Sequence, residues 1–224
     1  MKASVRVVSI FALAALTVAT TGCGLRNRER GAAIGAGAGA VIGGVIGKHQ
    51  GSTAKGAIIG AVIGGAAGAI IGHQMDQQAK ELQQNIPGAV VERVGEGIQV
   101  TFASGLLFDF DSDQVKGDAG ANLRTLAQSL DKYPDSNLLI VGHTDSVGTD
   151  SYNLSLSDRR SAAAASFLVT EGVTRSRIMT RGLGETEPVT SNDTDAGRQR
   201  NRRVEVAIYA SEKMQADARR LAGS

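Results

Sequence analysis

Residues 138–161, LLIVGHTDSVGTDSYNLSLSDRRS, join an apolar run to a polar turn and then to a helical pattern. The apolar residues at the start of this stretch predict a buried strand over residues 137–142. Gly148 allows the chain to reverse direction, and residues 153–171 predict a helix that ends at Gly172. A strand that leads through a turn into a helix is typical of domains in which helices pack on a sheet.

The flanking sequence extends this pattern over residues 89–210. Alternating apolar residues predict strands at both ends of the region, and an amphipathic segment predicts a helix that ends near Pro134. The additional elements are strands at 97–103, 178–182 and 204–208 and a helix at 119–133. Their order, β-α-β-α-β-β, predicts an α+β fold with helices on one face of a small mixed sheet. Residues 211–224 are expected to form a helical tail.

The composition excludes several classes of protein. A chain of 224 residues has room for one ordinary domain with additional segments, but not for a large multidomain enzyme. The net charge of +2 and the aromatic content of 4% do not suit a nucleic-acid-binding surface. One cysteine excludes an internal disulfide, and three scattered histidines lack the spacing of metal ligands. We therefore expect no cofactor, no metal and no nucleic-acid partner.

Catalysis is not expected either. A hydrolase needs an activated nucleophile beside an oriented base, and His143 is the only histidine within residues 89–210. The sequence contains no Gly-x-Ser-x-Gly motif and no catalytic cysteine in this region. We predict that His143 is a hydrogen-bonded structural residue rather than a base.

The N-terminal region is typical of an export signal over residues 1–22. Two basic residues precede an apolar stretch of about 13 residues, which is shorter than the roughly 20 residues of a membrane-spanning helix. A small residue directly before Cys23 resembles a bacterial lipobox, which implies lipidation of Cys23 and a lipidated tether over residues 23–30. Gly24, in place of aspartate, favours delivery to the outer membrane. The alternative is an ordinary exported protein with a free thiol.

Glycine recurs at every fourth position in two segments, residues 31–47 and residues 56–72. Because glycine destabilises a helix by about 1 kcal/mol relative to alanine, this spacing predicts two closely packed helices, a hairpin over residues 31–72. Each helix would be about 25 Å long, close to the roughly 30 Å of a hydrocarbon core. The hairpin therefore either inserts into a bilayer or packs on itself outside one. Residues 73–88 predict a linker helix that a Pro-Gly pair ends.

Short motifs follow one another through the predicted domain: FDFDS (108–112), GHTDSVG (142–148), YN (152–153), LS (156–157) with Arg160, GLGE (182–185), Asn192, Gly197 and NRRVE (201–205). In this order they resemble the OmpA-like peptidoglycan-binding domain, and the resemblance covers about half of the chain. Together with the export signal, the lipobox and the glycine series, the domain is similar to YiaD-type lipoproteins. The resemblance implies an OmpA-like fold preceded by a glycine-zipper helical hairpin.

The same resemblance implies a ligand, the stem peptide of peptidoglycan, recognised chiefly at diaminopimelate. The far end of diaminopimelate carries an ammonium and a carboxylate on one carbon. Asp145 lies at the end of a predicted strand, where its carboxylate can accept from the ammonium, and Arg160 offers a planar guanidinium for the carboxylate. Asn153, Leu156 and Arg160 are spaced to line one face of the helix. The alternative is an ordinary salt bridge between Asp145 and Arg160.

Three further site residues follow from the resemblance. Asp109 and Thr144 correspond to family positions near the ligand, as carboxylate or amide partners, and their alternative role is turn capping. Arg202 either approaches the carboxylate of the ligand or forms a structural pair with a loop acid.

These features together predict an outer-membrane lipoprotein that binds peptidoglycan noncovalently. The lipid on Cys23 would hold the outer membrane while the domain at 89–210, in the periplasm, grips the cell wall. The alternative is a membrane oligomer or pore driven by the glycine zipper, with the C-terminal domain as its cell-wall tether. A homo-oligomer formed through the zipper belongs to this alternative.

Overall fold

The computed structural model describes residues 52–109, 111–117 and 119–223, which are built around a five-stranded mixed sheet. The strands are β1 (Ala89–Val94), β2 (Gly97–Ala103), β3 (Ser136–His143), β4 (Ile178–Gly182) and β5 (Arg203–Ala210). They are ordered β1-β2-β5-β3-β4, and β3 and β4 run parallel whereas the other neighbouring pairs are antiparallel. The α+β class and the mixed sheet are thereby confirmed.

Strand β1 is an element that the sequence pattern does not predict. Of its six residues only Val91 is buried, because β1 lies at the edge of the sheet. The turn from β1 to β2 contains Gly95, whose φ of 51° lies in the left-handed region that favours glycine. An edge strand with one buried side chain lacks the alternation from which strands are recognised in a sequence.

Seven α-helices accompany the sheet within the described residues. They are α1 (Thr53–Gly60), α2 (Gly65–Asn85), α3 (Ser104–Leu107), α4 (Ala119–Lys132), α5 (Asp150–Thr170), α6 (Asp195–Asn201) and α7 (Glu212–Ala222). Helices α4 and α5 lie where the sequence predicts them. Helix α5 begins three residues earlier than predicted, because the Thr149 side chain caps it by accepting from the backbone N–H of Tyr152 at 3.3 Å.

The larger hydrophobic core lies between one face of the sheet and helices α2, α4 and α5. Alternate residues of the three central strands face this core, as expected for strands with a period of two. Its members include Ile98, Val100, Phe102, Leu138, Ile140, Val204, Val206 and Ile208 from the strands, and Ile71, Met75, Leu82, Leu123, Leu126, Leu130 and Leu168 from the helices. This face carries the helix layer that the sequence predicts.

Helix α1 covers the opposite face of the sheet, and this corrects the prediction that the helices lie on one face. Ala54, Ala57 and Ile58 of α1 pack in a second cluster with residues of β3 and β5, among them Val141 and Tyr209. All eight residues of β5 are buried, so both faces of this strand are covered. The sheet therefore has two apolar faces, and helix α1 shields the second face from water.

The second glycine series does not form one continuous helix. The chain breaks between α1 and α2, where Gly64 and Gly65 have φ values of 67° and 64°. The carboxylate of Glu96, in the turn between β1 and β2, accepts from the backbone N–H groups of Ile63 at 2.9 Å and Gly64 at 2.8 Å. The two halves of this series consequently lie on opposite faces of the sheet.

The linker helix expected over residues 73–88 is part of the longer helix α2, which begins inside the second glycine series. In the described part of the chain, none of the helices is both long enough and apolar enough to cross a membrane. The predicted signal peptide, Cys23 with its tether, and the first glycine series lie outside the described residues.

Candidate binding site at the end of strand β3

Close packing of α5 on the sheet places the first half of this helix beside the end of β3. Gly142 on β3 and Gly182 on β4 face the backbone of α5 at Ser157. A Cβ atom added at Gly142 would lie 3.0 Å from the carbonyl carbon of Ser157, and one added at Gly182 would lie 2.6 Å from Ser157 Oγ. The two glycines therefore allow an approach that any larger residue would prevent, and they bring the helix to the loop that follows β3.

Asp145, two residues beyond β3, is held by a backbone group and by an arginine. Its Oδ1 accepts from the backbone N–H of Val147 at 3.1 Å, and its Oδ2 accepts from Arg202 Nη1. The Asp145 side chain is 8% exposed, whereas that of Arg202 is 40% exposed. Arg202 therefore forms the second of its two predicted alternatives, a pair with a loop acid, and the acid is Asp145. The salt bridge between Asp145 and Arg160 is not the pairing found.

Asn153 connects Asp145 to a second carboxylate. Its Nδ2 donates to the backbone oxygen of Asp145 at 3.2 Å and to Glu185 Oε2 at 2.6 Å. Sequence reasoning noticed Glu185 only as part of a motif and did not assign it to the site. Its signal was its place directly after Gly184, whose φ of 54° turns the chain back against the start of α5.

Arg160 lies two turns after Asn153 along α5 and holds the loop that follows α3. Its Nε donates to the backbone oxygen of Ser112 at 2.9 Å, and its Nη2 reaches that of Asp109 at 3.5 Å. The guanidinium lies over the ring of Phe108, with Cζ 5.3 Å from the centroid, a cation–π geometry. Burial lowers the pKa of Arg160 from its ordinary value, but an arginine stays charged at physiological pH.

The remaining site residues differ in their access to solvent. The Asp109 side chain is exposed and lies 3.0 Å from Lys116 Nζ. Thr144 is buried; its backbone N–H donates to Gly184 at 2.9 Å, and its hydroxyl has no partner among the described residues. Leu156 is also buried, which leaves little of its side chain for a ligand to contact.

A tyrosine and an aspartate that sequence reasoning did not single out join the loop to α5. Tyr152 donates its hydroxyl hydrogen to Asp111 Oδ1, and this hydrogen bond raises the pKa of Tyr152. Asp111 has a φ of 55°, so the loop turns at this residue. The pair ties the loop to α5 one residue before Asn153.

His143 is structural, but it does not make the hydrogen bonds that were predicted for it. Both ring nitrogens are buried and lack a hydrogen-bond partner within the described residues. Burial, and then the nearby charge of Arg203, lower the pKa of His143 well below its usual value. The ring is therefore neutral at physiological pH. Across the same described residues, no group of His, Cys, Asp or Glu is arranged to hold a metal ion.

The end of β3 thus brings together two carboxylates, those of Asp145 and Glu185, with the guanidinium of Arg202 and the amide of Asn153. Arg160 contacts the backbone of Asp109 in the neighbouring loop, and Thr144 directly precedes Asp145 in the sequence. Groups of both signs at one surface can bind a ligand that carries both an ammonium and a carboxylate. Within this set of residues, no nucleophile is paired with a base.

Two family models match the chain: the OmpA family over residues 107–202 and the YMGG-like Gly-zipper over residues 1–76. The protein named "Probable lipoprotein YiaD" of Escherichia coli is 39% identical over 62% of this chain and 64% of its own length. The "Peptidoglycan-associated lipoprotein" of Mesorhizobium japonicum is 36% identical over 56% of this chain and 75% of its own length. The chain thus spans slightly less than two thirds of the first relative.

Among solved structures, the cell wall anchor of the T6SS from Pseudomonas aeruginosa superposes with a TM-score of 0.54. It is 32% identical and covers 60% of this chain and 97% of its own. The mixed sheet with its helices, together with the family match over residues 107–202, assigns the fold to the class of OmpA-like domains. The chain belongs to the OmpA family, and the resemblance on which the sequence prediction depended is confirmed.

Proposed function

We propose that this protein is an outer-membrane lipoprotein that binds peptidoglycan noncovalently and so tethers the outer membrane to the cell wall. The diaminopimelate of the stem peptide is the part of the wall that it recognises. The lipid on Cys23 and the tether at residues 23–30 supply the membrane end, in agreement with relatives that are named lipoproteins. The protein does not act as an enzyme.

The observation that carries this proposal is the ion pair between the partly exposed Arg202 and the buried Asp145, with the Glu185 carboxylate bound to the same amide nitrogen of Asn153 that binds Asp145. The ligand ammonium binds the two carboxylates, and the ligand carboxylate binds the solvent-facing part of the Arg202 guanidinium. Arg160 contributes by holding the loop at residues 108–113, where the exposed Asp109 offers a further carboxylate. Thr144 and Leu156 are buried, so we expect them to contribute by packing beside the site rather than by contact with the ligand.

Co-sedimentation of the full mature chain, in detergent, with purified peptidoglycan sacculi tests the proposal. Asp145→Asn keeps an oxygen for the N–H of Val147 but removes the charge, and Arg202→Gln removes the guanidinium. Loss of one charge-assisted bond costs about 1.5–3 kcal/mol, so each variant should bind at least about tenfold more weakly. Asp195→Asn is the matched control, because the Asp195 side chain is 96% exposed and pairs with Arg198 outside the site.

Soluble muropeptides separate the ligand from the wall as a whole. A fragment that carries diaminopimelate should compete with sacculi, whereas a fragment with lysine at the same position lacks the second carboxylate and should compete poorly. Sacculus binding that is equal for the parent, Asp145→Asn and Arg202→Gln would refute the site. Equal competition by the two fragments would refute recognition of diaminopimelate while leaving wall binding in place.

A further inference from the structure

The segment at residues 52–61, which we call the strap, is fastened to the domain at its N-terminal end by two buried glutamates. Ser52 Oγ donates to Glu205 Oε2 at 3.1 Å. The backbone N–H and the hydroxyl of Thr53 donate to the two carboxylate oxygens of Glu187 at 2.9 and 2.5 Å. Glu187 lies 134 residues after Thr53 and Glu205 lies 153 residues after Ser52, so the fastening depends on tertiary structure alone.

The body of the strap is packed as tightly as a core element. Ala54 and Ala57 have no exposed surface, and Ile58 is 1% exposed against the face formed by β3 and β5. Lys55, on the outer side, lies 3.3 Å from Glu92 of β1. The glutamates, the apolar contacts and this ion pair together show that half of the second glycine series is a docked part of the domain.

The groups that fasten the strap also build the candidate site. Arg203, directly after Arg202, donates from Nε to Glu205 at 2.7 Å and from Nη2 to the backbone oxygen of Glu187 at 3.1 Å. Glu187 is two residues after Glu185, the carboxylate that Asn153 contacts. The loop at residues 185–187 and the chain at residues 202–205, around the start of β5, therefore contact the strap and also carry residues of the candidate site.

The Glu187 carboxylate links the strap to the loop that carries Glu185. Among the described residues, both hydrogen-bond donors that reach its oxygens belong to Thr53. Glu187 is 6% exposed, and a buried carboxylate without donors is unfavourable. When the strap leaves the sheet, Glu187 loses both donors and water replaces them, so its carboxylate is no longer held in one position. The loop that carries Glu187 also carries Glu185.

We propose that docking of the strap and binding of the cell-wall ligand are coupled, so that the docked strap holds Glu185 and Arg202 in their binding positions. Ser52 and Thr53 act as positioning residues, since they reach the ligand site only through Glu187, Glu205 and Arg203. This inference rests on the proposed function. Coupling is reciprocal, so the bound ligand stabilises the docked strap by the same factor by which the strap raises the affinity for the ligand.

The experiment combines sacculus binding with amide hydrogen exchange of the strap, in the full mature chain in detergent. Ala57→Glu places a charge at a position without exposed surface and should release the strap. Ile59→Glu is the matched control, because it adds the same charge to the same helix at a residue that is 43% exposed. Thr53→Val is a milder variant that removes the hydroxyl donor to Glu187 without adding charge.

We expect Ala57→Glu to speed amide exchange of residues 53–61 and to weaken sacculus binding at least about fivefold, and Ile59→Glu to change neither. A saturating muropeptide that carries diaminopimelate should slow exchange of the strap in the parent, which a purely structural strap would not show.

Two results would overturn the coupling. Faster strap exchange in Ala57→Glu with parental sacculus binding would refute it while leaving the proposed function intact, and a parent that does not bind sacculi would refute both. If Ala57→Glu does not fold, Thr53→Val decides by the same pair of measurements.

Discussion

Replacement of Gly142 by alanine tests the close approach of α5 to the sheet. The new Cβ would lie 3.0 Å from the carbonyl carbon of Ser157 and would overlap the carbonyl oxygen, whereas ordinary contacts begin at 3.4 Å. The obstacle is helix backbone, so no side-chain rotation relieves it and α5 must move away by about 1 Å. Such overpacking costs about 1–3 kcal/mol, and we expect the upper end of this range because backbone must move.

Urea unfolding of the mature chain in detergent measures this effect. With a denaturant dependence of about 2 kcal/mol per molar urea, a loss of about 3 kcal/mol lowers the unfolding midpoint by about 1.5 M. The retreat of α5 also lengthens the bond from Asn153 to Asp145, now 3.2 Å, so sacculus binding should weaken as well.

Gly105→Ala is the matched control for this prediction. Gly105 is an exposed residue of helix α3, and a Cβ there would meet nothing within 4 Å. Because alanine favours a helix over glycine, this variant should be as stable as the parent or more stable by up to about 1 kcal/mol. Equal unfolding midpoints for Gly142→Ala and Gly105→Ala would show that α5 is not held against β3 as described.

Two further predictions concern buried polar side chains. Burial lowers the pKa of His143 well below 6.5, so below about pH 6.5 this histidine binds a proton in the unfolded chain but not in the folded protein. The free energy of unfolding should therefore fall as the pH is lowered from about 7 to about 5. His143→Gln should reduce this fall in unfolding experiments, by up to about 1.4 kcal/mol per pH unit, and equal pH slopes would contradict the assignment of a neutral ring. Burial also raises the pKa of Tyr209 to about 12, and its hydroxyl has no hydrogen-bond partner within the described residues. Tyr209→Phe should therefore unfold at the same or a higher urea concentration, and a loss of more than about 1 kcal/mol would reveal a hidden partner.

Strand β3 and helix α5 were predictable because their signals in the sequence are local. The apolar run before Gly142 and the helical spacing after Gly148 are both visible within 25 residues of sequence. The same stretch contains Asp145 and Asn153, and the structure joins these two directly through a hydrogen bond. Strand β1 was missed because only one of its side chains is buried, so its sequence does not show the alternation of apolar and polar residues that predicts a strand.

The break in the glycine series and the strap were not predictable, because their causes lie far along the chain. The spacing of glycine is uniform through Gly64, and the carboxylate that binds the turn there belongs to Glu96, 32 residues later. Glu187 fastens Thr53 across 134 residues. Arg202 was left with two alternatives for a similar reason, since its partner Asp145 is 57 residues away.

The position of the strap determines how the domain responds to mechanical load. Any pull that arrives along the chain from the N-terminal side reaches the bonds from Ser52 to Glu205 and from Thr53 to Glu187 first. We expect such a pull to peel the strap from its end, one turn after another, before the load reaches helix α2. The ten residues of the strap span about 15 Å as a helix and at most about 35 Å when extended, so its release adds about 20 Å to the reach of the chain. Under the proposed coupling, tension that releases the strap would therefore both lengthen the connection to the membrane and weaken binding of the cell wall, while the sheet stays folded.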